Sequence, residues 1–191
     1  MSDITEQGPA WSLTDVAILI VESAAIVAVD LFYARTVAPN YDTTTLSFEG
    51  DDTSQEIDET NHARWTITCD KHDWDAIQRI YGKTKVIDPD ADEDWGMWFG
   101  DDAESAGVAA GLRFDVKAKD ESVTPNVEFT WRNTFPKGVL KMIPPTQAEW
   151  KAKKVVTLNF TASKTTTDLL GAALSGVPSG GAYGRGGRLS A

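Results

Sequence analysis

The chain has 191 residues, 41% hydrophobic and 25% charged, which is enough for one compact domain with extensions and too apolar for a wholly disordered protein. Its 29 acidic and 18 basic residues give a formal net charge of −11, so much of its surface is expected to repel a polyanion such as DNA. The single cysteine excludes an internal disulfide and any zinc site built on cysteine pairs.

Charge is distributed unevenly along the chain. Residues 1–104 contain 23 acidic and 6 basic residues, a net charge of −17, whereas residues 105–191 have a net charge of +6. Two interpretations are open. Copies of the molecule attract one another head to tail, or folding interleaves the two halves and cancels the asymmetry.

The N-terminal region lacks the features of a leader or a membrane span. Met1–Glu6 is acidic, whereas a secretory leader begins with positive charge. The apolar stretch Leu13–Phe32 is interrupted by three carboxylates, each costly at the centre of a membrane helix: Asp15, Glu22 and Asp30. We expect synthesis in the cytoplasm and no membrane contact. Within this stretch Val16–Val21 is rich in β-branched residues and favours a strand, with a buried helix as the alternative.

Strict alternation of apolar and polar residues marks four segments, at 63–70, 112–119, 127–132 and 156–163. The apolar positions are Ala63, Trp65, Ile67, Cys69, Leu112, Phe114, Val116, Ala118, Val127, Phe129, Trp131, Val156, Leu158, Phe160 and Ala162. Alternation with period two is typical of strands with one buried face. Shorter strand candidates are Leu31–Ala38 and Thr44–Glu49. The sequence therefore predicts a mainly β fold, an antiparallel β-sandwich or barrel-forming domain.

One short helix is predicted between the strands. Asp73 is a suitable N-cap, the apolar residues Trp74, Ile77 and Tyr81 share one face, and Gly82 offers a left-handed stop. About two turns of helix are not stable alone, so this helix is expected to flank the sheet and pack on it. A second helical turn is predicted at Thr146–Lys151.

Two segments are predicted to be long, irregular and available to partners. The acidic loop Asp88–Ala106 contains three aromatic residues, Trp95, Trp98 and Phe99, and loops of this length are usually functional. The C-terminal segment Gly171–Ala191 is rich in glycine and serine and is expected to be mobile in an isolated subunit.

No motif predicts a catalytic, cofactor or metal site. Counted from Asp88, the acidic loop has Glu93 and Phe99 where a helix–loop–helix calcium site needs glycine and glutamate. Cys69 and His72 have the spacing of metal ligands, but no second pair completes four ligands. Cys69 is instead expected to be a small buried hydrophobe.

The seven tryptophans suggest an alternative function. In it the chain is a monomeric β-sandwich that binds carbohydrate by stacking sugars on aromatic rings, or binds another ligand, together with calcium. Trp65 and Trp131 alternate with polar residues and are expected in the core. The surface candidates are Trp11, Trp95, Trp98 and Trp150. Burial at a subunit interface explains these four equally well, because tryptophan is enriched in interfaces.

The order of segments resembles the major tail tube protein of long-tailed, siphovirus-type bacteriophages. The segments that carry the resemblance are LSFEGDD (46–52), ARWTITCD (63–70), DWDAIQRIYGK (73–83) and KKVVTLNFTASKTT (153–166). The resemblance covers about 31–166, which we interpret as the tube-like β-sandwich domain, preceded by an arm and first strand at 1–30 and followed by a flexible tail at 167–191. The sequence departs from the family in its long acidic loop, and it lacks the immunoglobulin-like domain that some members append.

The resemblance implies a structural protein of the virion, without catalysis or cofactor. In that family the subunits form rings, six to a ring, that stack into a tube, with double-stranded DNA passing through the lumen unbound during ejection. The implied partners are further copies of the chain and other tail proteins, namely the tape measure, the tail terminator and the tail tip. Acids expected near the lumen are Glu49, Asp51, Asp52, Glu56 and Asp58. Residues expected between subunits or stacked rings are Trp11, Trp95, Trp98, Phe99, Arg185 and Arg188.

Overall fold

The structure is a computed structural model, which describes residues 12–49, 54–70, 74–82, 107–120, 127–143 and 156–189. At 40–49, 54–62, 74, 120 and 143 it describes the backbone alone. The elements are β1 (Ser12–Glu22), β2 (Ala25–Asp30), β3 (Ala34–Glu49), β4 (Ser54–Cys69), α1 (Trp74–Tyr81), β5 (Val108–Asp120), β6 (Val127–Ile143), β7 (Val156–Ala162) and β8 (Arg185–Arg188).

The strands form one antiparallel sheet in the order β2-β1-β5-β6-β7-β4-β3, and β8 also pairs with β6. β5 lies along one side of β6. On the other side, β8 pairs with Trp131–Thr134 and β7 pairs with Gly138–Ile143, so β8 continues the line of β7. Among the described strands, β2 and β3 lie at the two ends of this order. The predicted mainly β, antiparallel fold with one short helix is confirmed.

The core forms on one face of the sheet, as the alternation predicts. The apolar positions of β4, β5 and β7 are largely buried there, with Ile67, Leu112 and Phe160 fully enclosed. Apolar residues of β1 and β2, such as Ile18 and Val29, join the same cluster. Because strands from both ends of the sheet share this cluster, the sheet rolls around its own core as a sandwich or partly closed barrel does.

β6 departs from the simple alternation at a proline. Pairing with β5 shifts between Ala110 and Leu112, where β6 has an extra residue beside Pro136. Proline is tolerated at such a bulge because it has no N–H to donate to the ladder. Because of the extra residue, the positions of β6 that face the core change from odd-numbered to even-numbered at the bulge. Leu140 and Met142 are therefore the buried positions beyond it. The segment 127–132 was predicted to place Val127, Phe129 and Trp131 in the core; Val127 is 42% exposed and the other two are half-buried, which corrects that prediction.

The region before β4 differs from prediction in two places. β1 and β2 form a hairpin whose turn residues Ser23 and Ala24 both have positive φ, and β2 was not predicted because this pair lacks the usual Asn or Gly signal. The predicted strands at Leu31–Ala38 and Thr44–Glu49 join in the single strand β3, which runs through Pro39. β3 begins only at Ala34, so the prediction was wrong for 31–33, which form a turn. An edge strand accommodates this proline, since one side of its backbone has no ladder partner.

The predicted helix is confirmed as α1. Its buried residues Ala76, Ile77, Ile80 and Tyr81 belong to the core cluster, so the helix flanks the sheet through this face. Gly82 follows with φ +63°, the left-handed stop that the sequence predicts. The N-cap candidate Asp73 and the helical turn predicted at Thr146–Lys151 lie outside the described residues.

The glycine-rich C-terminal segment has a defined path in the structure, where the sequence led us to expect mobility. Backbone hydrogen bonds join Thr165 to Ala182 and Thr166 to Leu174, and β8 then adds to the sheet. Glycine is needed in β8 for close approach: a Cβ on Gly186 would lie 2.6 Å from the Nε1 atom of Trp131. The glycines therefore let the backbone lie against aromatic rings, a role that composition alone does not distinguish from flexibility.

Candidate assembly surfaces

The β3–β4 hairpin extends beyond the rest of the sheet. Its strands pair along their whole length, from Ala34 with Cys69 to Glu49 with Ser54. β7 backs only the inner part of β4, at Ala63–Cys69. Among the described residues, the outer part at 40–49 and 54–62 has no third strand. We call this outer part the hairpin arm; two-stranded ribbons of this kind are at best marginally stable in water without a surface to pack on.

The register of the hairpin arm places three acidic positions on one face. Ser47 lies opposite Glu56 and Thr45 opposite Asp58, whereas Leu46 lies opposite Ile57. Since successive residues of a strand alternate between its two faces, Glu49, Glu56 and Asp58 share one face of the ribbon. Leu46 and Ile57 lie on the other face, together with the acidic Glu59. A ribbon without a third strand among the described residues is suited to pairing with an additional strand.

Three of the predicted lumen acids belong to this arm. Glu49, Glu56 and Asp58 occupy its distal rows, within five residues of the end of the hairpin. The other two, Asp51 and Asp52, lie outside the described residues, between the arm's two strands in sequence. The structure thus brings the described acids together at one place in the fold.

The predicted inter-subunit residues are described only in part. Trp11, Trp95, Trp98 and Phe99 lie outside the described residues, as does the whole loop 88–106. Arg185 and Arg188 are the two ends of β8, and the Arg188 guanidinium lies 4.7 Å from the centre of the Phe129 ring. That cation–π contact fixes one end of β8 on β6 within the subunit.

Ion pairs cross the polar face of β2, β1, β5 and β6. Arg113 pairs with Asp15 at 3.2 Å and with Asp30 at 3.6 Å, so here the acidic first half of the chain meets the basic second half. The other ion pairs given by the described residues lie within one half, such as that of Arg79 with Glu22. At this place folding brings opposite charges of the two halves together.

One of these pairs, between Arg132 and Asp115, combines two hydrogen bonds with a buried carboxylate. The guanidinium donates two hydrogen bonds, from Nε at 2.8 Å and from Nη2 at 2.6 Å, to the two carboxylate oxygens. The Asp115 side chain is only 8% exposed, although it lies on the polar face. The hydrogen bonds to Asp115 raise the pKa of Arg132 above its usual value, against the opposing effect of desolvation. A bidentate pair of this kind links β5 rigidly to β6.

An aromatic cluster holds the one tryptophan of β4. Trp65 contacts Phe114 with ring centres 5.2 Å apart and Phe135 at 4.9 Å. Phe135 in turn contacts Phe160. Trp65 is therefore part of the packing between sheet strands, as the alternation predicts, and is committed to internal contacts that a sugar ring would have to replace.

Neither a scan against protein-family models nor a search of curated proteins gives a match to this chain. In the part of the chain that the structure describes, no three His, Cys, Asp or Glu residues come together as a metal site requires. No helix among the described residues is long and apolar enough to cross a membrane.

Proposed function

We propose that this chain is the structural subunit of a bacteriophage tail tube, assembling into stacked rings, six copies to a ring, in the virion. The observation that carries the proposal is the hairpin arm. A two-stranded ribbon with no third strand among the described residues has two backbone edges open to pairing, a hazard that monomers avoid and that pairing with neighbours removes. When each copy contacts the next head to tail, the copies form a ring if the rotations between them add up to a full turn. They form a filament if the rotations do not close.

The edges of the sheet support the same proposal. β2 and β3 end the strand order, and neither has a partner on its outer side among the described strands. Ring assembly would place such edges against copies of the same chain, as closure does in any barrel. The aromatic cluster around Trp65 gives the alternative, a sugar-binding monomer, no comparable support.

In this proposal the acidic residues of the hairpin arm line the channel through which the genome passes. A bore lined with carboxylates repels the phosphates of double-stranded DNA, so the genome slides without binding. Glu49, Glu56 and Asp58 share one face of the arm by register, which is the arrangement a lining needs. The tape measure, tail terminator and tail tip proteins are the partners that this function would require, with no catalysis and no cofactor.

The test is a variant without the arm. Residues 43–61 are replaced by Asn-Gly, which joins the paired residues Asp42 and His62 through a two-residue hairpin turn. The deletion removes none of the described core residues, so the melting temperature of the subunit should change by no more than a few degrees. Assembly, followed by pelleting of high-mass particles and by negative-stain imaging, should be lost.

The matched control is Glu56→Gln with Asp58→Asn, which keeps the arm and removes two charges. This control should still assemble. If the shortened chain forms rings or tubes as readily as the wild type, the arm does not mediate assembly and the main support for the proposal is gone.

A further inference from the structure

A phenylalanine lies almost fully in solvent at the turn between β2 and β3. Phe32 is 82% exposed, and its neighbour Tyr33 is 43% exposed. The residues on either side are anchored: Leu31 is buried and donates its N–H to the carbonyl of Val16, and the Tyr33 carbonyl accepts from Asp70. The turn therefore presents the Phe32 ring on a fixed support. A rigid, exposed aromatic is the type of residue that anchors protein interfaces.

A pocket suited to an aromatic ring lies on another part of the molecule. It has a volume of about 320 Å³ and lies between β6, β8 and the segment 173–182. Pro136, Leu174 and Val177 give it a mostly apolar lining, and Arg185 is its one charged lining residue. A cavity of about 150 Å³ is enough for benzene, so this pocket accommodates a phenylalanine ring with space remaining.

The Phe32 ring cannot enter the pocket of its own chain. One row of paired residues crosses the sheet from Asp30 through Ala17, Arg113 and Thr134 to Arg185. The row contains four steps between strands, and at about 4.8 Å a step the two ends are about 19 Å apart along the sheet. That distance is several times the reach of a side chain. A ring that fills the pocket must come from another molecule.

The charges beside the two features are complementary. Asp30 lies two residues before Phe32; its side chain is 47% exposed and lies 3.6 Å from Arg113 of its own chain. Arg185 has no ion-pair partner among the described residues. Docking Phe32 in the pocket brings the Asp30 carboxylate toward the Arg185 guanidinium, an attraction that favours this orientation of two copies. The match favours a second copy of the chain over an unrelated occupant.

We infer that Phe32 of one copy inserts into the pocket between β6, β8 and residues 173–182 of the next copy. Phe32 lies beside the end strand β2, whereas the pocket lies on the central strand β6. The two contacting surfaces differ, so the contact is head to tail and either repeats indefinitely or closes into a ring. The inference rests on the proposed function and deepens it, because it specifies one contact by which subunits associate.

The first test compares assembly of full-length variants. Phe32→Ala should raise the protein concentration needed for assembly about 10- to 100-fold, because each subunit contact loses a buried ring. Ala173→Trp, which fills the pocket from an exposed lining residue, should do the same. Val21→Ala, another exposed apolar residue, is the control and should shift that concentration by less than about twofold. Melting temperatures of all three should match that of the wild type.

The second test detects the contact directly. Tyr33→Cys and Ser175→Cys, made on separate chains and mixed, should form a disulfide between copies upon assembly; Cys69 is buried and remains apart from the reaction. Tyr33→Cys mixed with Ser163→Cys, an exposed site outside the pocket, should not. If the wild-type chain assembles, the Phe32→Ala variant assembles equally well and no cross-link forms, this inference is wrong while the proposed function stands. A wild-type chain that stays monomeric at every concentration overturns the proposed function and this inference with it.

Discussion

Replacing Asp115 or Arg132 is expected to reveal a coupled pair that fixes β5 to β6. Breaking a fully buried pair costs about 3–5 kcal/mol. Arg132 retains 35% of its exposure, so once Asp115 is removed the guanidinium regains water and Asp115→Ala should cost only about 2 kcal/mol. Arg132→Ala leaves a carboxylate that is 8% exposed, so its cost should be larger, about 3 kcal/mol.

The double variant isolates the interaction between the two side chains. Its cost should fall short of the sum of the single costs by about 1.5–2.5 kcal/mol, since each single change already abolishes the two hydrogen bonds. Urea unfolding at pH 7 followed by tryptophan fluorescence measures all three, at protein concentrations too low for assembly. The matched control is Lys119→Ala, which removes an exposed pair with Glu128 and should cost less than about 1 kcal/mol. Additive costs within about 0.5 kcal/mol would refute the reasoning.

Two further predictions concern β8 and the acid limit of stability. Gly186→Val should detach β8, because the new Cβ would collide with the Trp131 ring. Limited proteolysis should then cleave the C-terminal segment faster than in the wild type. The control Gly187→Ala adds a Cβ that meets nothing within 4 Å, so its cleavage rate should not change. Arg79 lowers the pKa of Glu22 by hydrogen bonding, so the pair stabilises the fold above about pH 4.5 and loses this effect as the pH falls through the lowered pKa. In Glu22→Gln the melting temperature should therefore fall less steeply than in the wild type as the pH decreases below 4.5. A variant whose melting temperature follows the wild-type pH dependence would contradict this.

Period-two alternation made the sheet predictable where one face is buried and the other polar. β4, β5 and β7 satisfy this condition. In β1 the consecutive residues Val16, Ala17 and Ile18 are all buried, and this strand was predicted from its β-branched residues instead. The helix was equally predictable, because its apolar spacing and Gly82 agree. In each case local propensity and burial favour the same structure, which is when sequence patterns are most informative.

The remaining elements depend on contacts distant in sequence. β2 is closed by a Ser23-Ala24 turn in a conformation usually reserved for glycine and asparagine. β8 is a strand because Gly186 fits against Trp131, more than fifty residues away. The change of parity in β6 follows from Pro136, whose effect on register depends on the pairing with β5.

The candidate surfaces were predictable to different degrees. From the sequence, the acids of the hairpin arm were predicted to flank the strand candidate Thr44–Glu49 and the strand that contains the alternating segment 63–70. That Glu56 and Asp58 lie within β4, and that the arm extends beyond β7, was not predicted. The Phe32 knob was not predicted, because Leu31–Ala38 was interpreted as one strand and the turn at Phe32 was missed. The pocket could not have been foreseen, since its lining comes from β6 and from a segment expected to be mobile.

The mass of the particles formed by the full-length chain tests the central claim most directly. Electron cryo-microscopy and sedimentation velocity, performed over a rising series of protein concentrations, should show rings and stacked tubes with an open central channel. A single species of 20.8 kDa at every concentration would contradict the account.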